Sequence, residues 1–248
     1  DEKGRKMSKS LGNSPDPLDL IAKYGADAIR FSFLYNTSQG QDIHFSEKLL
    51  EMGSAFANKV WNASRFVLSN LEDFDVSTTV DNSEFKLEDK WILSKLQTAS
   101  KLINENMEKY ELDAAAKLTY EFFRGDFCDW YVEIAKTRVY GQEGSDKTVA
   151  QYVLKTVLDK GLRILHPFMP FITEEIWQKL GLDEETIMLS EFPTENKKYV
   201  DLAAEKEFDY LKEIVNAIRN IRGEANVSPA KKIEVIFKTV DENAKNIL

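Results

Sequence analysis

Cysteine and histidine are nearly missing from this chain: Cys128, His44 and His166 are all it has among 248 residues. A lone cysteine excludes an internal disulfide, and two isolated histidines allow no zinc cluster of the usual Cys/His spacing. A reducing compartment, the cytoplasm, is the expectation. Long apolar runs are missing as well, since nothing approaches the roughly eighteen consecutive apolar residues that a membrane-spanning helix requires. The start, Asp1-Glu2-Lys3-Gly4-Arg5-Lys6, has no initiator Met, no apolar signal core and no cleavage site, which is expected of a piece cut from a longer protein. An excess of positive charge is also lacking: 33 Lys and Arg against 42 Asp and Glu leave a net charge of −9. A chain of that sign does not hold nucleic acid by bulk charge, so any RNA contact must be local. What is present is 43% hydrophobic residues, enough to bury the core of one ordinary domain or two small ones.

The first dozen residues are polar and punctuated by Gly4 and Gly12, with Lys3, Arg5, Lys6 and Lys9 making this end locally positive. At Asp16-Pro17-Leu18-Asp19 a capping residue, a proline at the first helical position and an acid in the first turn open a short helix that Gly25 closes. A second helix runs from Ala26 to about Asn36. The polar connector from Thr37 to Asp42 then leads to a cap at Ser46. Leu49, Phe56, Val60, Val67 and Leu71 recur at helical spacing and predict a long amphipathic helix. After a loop over 72–86, further helices follow from Ile92 to Tyr110, Leu112 to Ile134 and Lys147 to Leu165, the last stopped by His166-Pro167. A short helix at Ile172–Trp177 precedes an extended stretch through Ile187-Met188-Leu189 to Pro193. One more amphipathic helix carries Phe208, Leu211, Ile214, Val215, Ile218 and Ile221 on one face, and Ile233–Phe237 is expected as a strand. The expected fold is mainly α: an antiparallel helix bundle with a small C-terminal α/β piece, divided at 1–45, 46–195 and 196–248.

Lys6-Met7-Ser8-Lys9-Ser10 sets two ammonium groups and two hydroxyls on a loop whose flanking glycines permit hinge motion. Two lysines on flexible stems suit a polyphosphate, because they can follow negative charge as it builds on a departing pyrophosphate. A generic Lys/Ser pentamer is more often a solvated basic loop. The string itself, however, resembles the KMSKS signature of class I aminoacyl-tRNA synthetases, followed here by Leu11-Gly12-Asn13 and Asp16-Pro17. The resemblance continues through Tyr24-Gly25-Ala26-Asp27-Ala28-Ile29-Arg30-Phe31, Asp126-Phe127-Cys128-Asp129-Trp130-Tyr131, the run from His166 to Trp177, and Ala217-Ile218-Arg219-Asn220-Ile221-Arg222. Gly40–Glu47 and Asn58–Val67 are most similar to the valyl branch of that family.

The resemblance implies the end of a catalytic domain, a helical anticodon-binding domain and the start of a smaller piece. The family activates an amino acid, here valine, with ATP and transfers it to its tRNA, tRNA(Val). By motif position Lys9 is the main ATP contact and Lys6 its companion, with Met7, Ser8 and Ser10 completing the nucleotide loop; both lysines are the implied catalytic residues. Magnesium enters with the nucleotide, since no carboxylate cluster near the loop suggests a dedicated metal cage. The family's paired-histidine nucleotide signature and its inserted editing domain have no counterpart in this sequence, so the chain by itself is expected neither to aminoacylate nor to edit.

Within the helix from Ser46, a turn of about 100° per residue puts Asn58, Asn62 and Arg65 opposite the Val60–Val67 stripe, with Trp61 and Phe66 on either flank. An aromatic-edged polar face can stack and pair unstacked bases, which makes these five residues candidates for tRNA binding. Arg219 and Arg222, followed by Lys231 and Lys232, form a second small basic patch, a candidate for tRNA phosphates with a plain solvated face as the other reading. Trp130, Tyr131, Phe168, Phe171 and Trp177 are assigned to the core, Cys128 to a buried apolar role, His166 to a helix end and His44 to a loop. An isoleucyl or leucyl branch, and a non-catalytic helical interaction module, are the alternatives.

Overall fold

The computed structural model describes residues 1–141, 144–182, 184–228, 230–236 and 238. Its elements are helical, and no strand occurs among the described residues. α1 (Pro17–Tyr24) begins with Pro17 at its first position, and the Asp16 carboxylate accepts the Leu18 N–H. It stops at Gly25, whose φ of 88° lies where side chains other than glycine are strained. α2 (Ala26–Asn36) follows without a linker and lies along α3 (Glu47–Ser69). The stripe that α3 buries is Leu50, Gly53, Phe56, Val60, Ala63 and Val67, so its first apolar contact is Leu50 and not Leu49.

α4 (Leu87–Glu108) is the central helix, touching α5, α7 and α9. It ends before Tyr110, which takes a left-handed turn and points to solvent, so that residue lies outside the apolar stripe expected of it. From Leu112 to Val139 the chain is one continuous helix with a widened middle: α5 (Leu112–Tyr120), a π-helical stretch (Glu121–Tyr131) and α6 (Val132–Val139). α7 (Ser145–Leu165) runs through the core to its cap at His166, and α8 (Pro170–Trp177) turns back from it. The stretch expected to be extended before Pro193 contains a single 3-10 turn at Ile187–Leu189, where the Thr186 hydroxyl accepts the Met188 N–H. α9 (Leu202–Glu224) packs on α4, with the Phe208 and Trp91 rings stacked at 4.0 Å.

No strand forms at Ile233–Ile236; Phe237 lies outside the described residues. β-branched residues alone do not make a strand, because a strand's backbone groups need a neighbour to bond, and none is present among the described residues. The rest of the expected bundle is found. One core runs through α2 to α9, and Phe31 of α2 sits in it with its ring 4.8 Å from that of Phe56 and 6.1 Å from that of Tyr120. Of the five aromatics assigned to that core, Tyr131, Phe168 and Trp177 are buried and Trp130 is half-buried against it, but Phe171 is 66% exposed. Phe171 occupies the first turn of α8, where the backbone N–H faces inward and the side chain faces out.

A polar knot closes the far end. Arg138, 7% exposed, donates to Asp89 Oδ1 at 2.7 Å, and the Tyr131 hydroxyl donates to the same oxygen at 2.6 Å. Glu88 and Asp146 lie 3.3 and 2.9 Å from the same guanidinium. Burial and the neighbouring Asp89 carboxylate push the Tyr131 hydroxyl far above the usual tyrosine range, so it stays protonated as a donor. The cluster joins α4, α6 and α7 while leaving little hydrogen-bonding capacity unmet, the condition under which buried charge is tolerated.

Candidate nucleic-acid interface

Three surfaces carry the residues that the sequence singles out. The first is the loop at Lys6–Ser10. Ser8 caps a single 3-10 turn, Lys9–Leu11, by accepting the Leu11 N–H, and Gly12 ends it with φ 63°. Asn13 folds the base of the loop: its Oδ1 accepts from Ser8 N at 3.0 Å, and its Nδ2 donates to Lys6 O at 3.3 Å and to Asp1 Oδ2 at 2.9 Å. The sequence places Asn13 next to the signature without revealing this role; its signal is an amide side chain just after a glycine turn. Lys6 and Lys9 are exposed, and among the described residues neither forms an ion pair. Two uncompensated ammonium groups on a short hydrogen-bonded loop fit the phosphates of ATP chemically. His44, an exposed loop residue as expected, brings its ring to within 3.4 Å of where a Gly4 Cβ would stand.

The segment carrying this loop is fastened to the bundle by two sequence strings far apart in the chain. Asp27 of α2, 8% exposed, accepts the Phe171 N–H at 3.2 Å and the Ile172 N–H at 2.6 Å, so it caps α8 from another helix. Arg30 donates to Pro167 O at 3.1 Å, and His166 Nδ1 shares a hydrogen bond of 2.7 Å with Thr173 Oγ1. Burial raises the Asp27 carboxyl above the usual aspartate range despite the two N–H donors that oppose it.

The second surface is the outer side of α3. Asn58, Trp61, Asn62 and Arg65 are exposed on it, with the apolar stripe turned inward. Phe66 is half-buried, edge-on to Tyr140 at 5.9 Å and 5.6 Å from the Lys136 ammonium. Trp61 lies on the other flank, 5.2 Å from the Lys179 ammonium. Between α3 and α8 runs a groove of about 400 Å³ lined by Trp61, Arg65, Leu68, Ile176 and Lys179 among others. Sequence periodicity could place Trp61 and Arg65 together but not Lys179, which reaches them from another element.

The two arginines of α9 are separated in role by the structure. Arg219 lies over the Trp130 ring at 5.1 Å, leaving its edge exposed. Arg222 donates to the carbonyls of Ser228 and Lys231, the latter at 2.9 Å, and so holds the chain as it leaves the helix. Lys231 and Lys232 are exposed beside it. Cys128 is buried, and burial pushes its thiol up to about 12, which suits the apolar role expected of it and excludes a reactive thiolate.

Comparison with known proteins gives two family matches: the anticodon-binding domain of tRNA ligase over residues 89–237, and tRNA synthetases class I (I, L, M and V) over residues 1–46. A valine–tRNA ligase of Fusobacterium nucleatum is 59% identical over 244 residues, covering 96% of this chain and 27% of that protein. Those of Bacillus thuringiensis and Aquifex aeolicus are 45% and 43% identical, covering 98% and 100% of this chain and 28% and 22% of theirs. This chain thus spans about a quarter of the length of these relatives. Among solved structures, an Agrobacterium radiobacter LeuRS in a ternary complex with tRNA and LeuAMS superposes with a TM-score of 0.62 at 24% identity, covering 81% of this chain and 23% of that one. A Mycobacterium tuberculosis methionyl-tRNA synthetase with methionyl-adenylate gives 0.59 at 21%, covering 71% and 35%. Both show a shared fold.

Proposed function

The chain belongs to the family of anticodon-binding domains of tRNA ligases, and from that premise we propose that it is the tRNA-recognising part of a valine–tRNA ligase, joined to the ATP loop of the catalytic domain. The observation that carries the valine assignment is the run of valine–tRNA ligases at 43–59% identity across nearly the whole chain.

In this reading the parent enzyme couples valine to ATP as valyl-adenylate, releases pyrophosphate, and passes the valyl group to tRNA(Val). Lys9 and Lys6 follow the charge that develops on the departing pyrophosphate, where a mobile cation lowers the energy of the transition state more than that of the ground state. Asn13 and Gly12 set the loop from which they reach. Magnesium arrives on the nucleotide. The outer face of α3, with Asn58, Trp61, Asn62, Arg65 and Phe66, meets the unpaired bases of the anticodon loop, while Arg219 contributes a phosphate contact from α9. Arg222, occupied by two carbonyls, contributes mainly by shaping that end. A cytoplasmic setting follows from the partner; no described helix is long and apolar enough to cross a membrane.

The test is binding of this chain to a valine tRNA transcript and to the same transcript with an altered anticodon, across a salt series. A clear loss of affinity with the altered anticodon is the expected result. Equal, steeply salt-dependent binding to both transcripts would reduce the bundle to a phosphate contact and sink the anticodon reading.

A further inference from the structure

We propose that Asp1 is a positioning residue of the ATP loop: its carboxylate clasps Arg5 on one side and Asn13 on the other, closing the loop into a ring that presents Lys6 and Lys9 to the nucleotide. The inference rests on the nucleotide-loop reading above and adds a residue to which that reading gives no role.

The ring is built from one carboxylate and one amide. Asp1 Oδ1 accepts the Lys3 and Arg5 N–H groups, each at 3.0 Å, while Asp1 Oδ2 takes Arg5 Nε at 2.9 Å, a second guanidinium nitrogen at 2.7 Å and Asn13 Nδ2 at 2.9 Å. Gly4, with φ 72°, turns the chain between these contacts, its N–H donating to Asp1 O at 2.9 Å. From the other end, Asn13 holds the backbone of Lys6 and Ser8. Lys3 and Arg5 thus hang on Asp1, and Lys6 and Ser8 on Asn13. The bond between the two side chains, across twelve positions of sequence, joins the halves.

A free carboxylate beside a polyphosphate site would repel the ligand. Asp1 is turned inward instead, its side chain 14% exposed, and its charge is matched by Arg5. The Arg5 side chain is 60% exposed, so the ion pair adds little stability in water. Its effect is geometric: it commits Arg5 to the frame of the loop and leaves the Lys6 and Lys9 ammonium groups, unpaired among the described residues, free to meet phosphate. A charge stabiliser works only if it already stands where charge develops, and a misplacement of about 1 Å can cost about a hundredfold in rate. A loop in which Asp1 and Asn13 have parted keeps both lysines and loses their placement.

The experiment measures valine-dependent exchange of pyrophosphate into ATP in the full-length parent enzyme. Asp1→Ala should lower kcat by about ten- to a hundredfold while KM for valine and affinity for tRNA stay as in wild type. Asn13→Asp should do the same by setting two carboxylates against each other. Asp1→Asn combined with Asn13→Asp, which exchanges acid and amide across the clasp, should recover most of the loss. A residue that acts through Lys9 has little left to lose without it, so adding Asp1→Ala to Lys9→Ala should cost less than about twofold more. Far-ultraviolet circular dichroism checks that each variant is folded; should Asp1→Ala not fold, Asn13→Asp and the exchanged pair decide. If Lys9→Ala is impaired but Asp1→Ala exchanges as wild type does, or costs as much without Lys9 as with it, or the exchanged pair recovers nothing, the clasp is overturned and the nucleotide-loop reading stands. If Lys9→Ala itself exchanges as wild type does, that reading falls and takes the clasp with it.

Discussion

Asp27 and Arg30 bring the loop-bearing segment and the bundle together through single side chains. The Asp27 carboxylate takes the N–H groups of Phe171 and Ile172, which have no partner inside α8, and thereby does for another helix what a capping residue does for its own. His166 sits at the same joint, bonded to Thr173, and burial holds its imidazole below the ordinary histidine value, with Glu174 and Asp27 opposing the shift and Arg30 adding to it. A folded state that binds a proton less readily than the unfolded chain loses stability as pH falls from the ordinary value to the lowered one. Above the ordinary value the contribution is complete. The urea midpoint should therefore fall as pH is taken from about 7 to about 5, across the ordinary value near 6.5, and part of that fall should vanish in His166→Asn. An identical pH profile for the two proteins would show that His166 does not titrate with folding. Nothing in the sequence around His166 reveals this joint, because Asp27 and Arg30 of α2, which bond the backbone of Phe171, Ile172 and Pro167, are more than a hundred positions away.

α3 shows how far periodicity goes for an element. Apolar spacing located the helix, its buried side and the exposure of Asn58, Asn62 and Arg65, since all of these follow from 3.6 residues per turn. It did not reveal how closely α2 approaches. A Cβ at Gly53 would collide with the Ala28 carbonyl and the Ser32 hydroxyl, so this glycine is what lets the two helices lie together. Gly53→Ala must push them apart and is expected to cost about 1–3 kcal/mol, despite alanine's better helix propensity. Urea unfolding measures it, and a gain in stability would mean that the contact relaxes freely. The π-helical stretch at Glu121–Tyr131 was equally hidden, because widening a turn changes hydrogen-bond partners without removing the apolar pattern. The missing strand at Ile233–Ile236 is the converse case: β-branched residues state a preference, and a partner has to realise it.

For the whole molecule, a net charge of −9 confines any contact with a polyanion to the local basic sites at the loop, on α3 and on α9, and the chemistry proposed for the loop belongs to the parent enzyme. Lys9→Ala in the full-length protein should lower valine-dependent exchange of pyrophosphate into ATP by about 10²–10³-fold, the scale of losing one preorganised charge stabiliser. Affinity for tRNA should be nearly unchanged, and a parallel loss of both would place Lys9 in tRNA binding instead. The sequence by itself determined the helical class, most helix limits and the family, because periodicity, caps and a specific signature are written in neighbouring residues. Tertiary structure alone decided that Phe171 faces solvent while its backbone is capped by Asp27, that Arg222 serves two carbonyls, and that Lys179 meets Trp61. Those are contacts between elements, set by how helices pack in space, and no local pattern along the chain encodes which distant side chain will arrive.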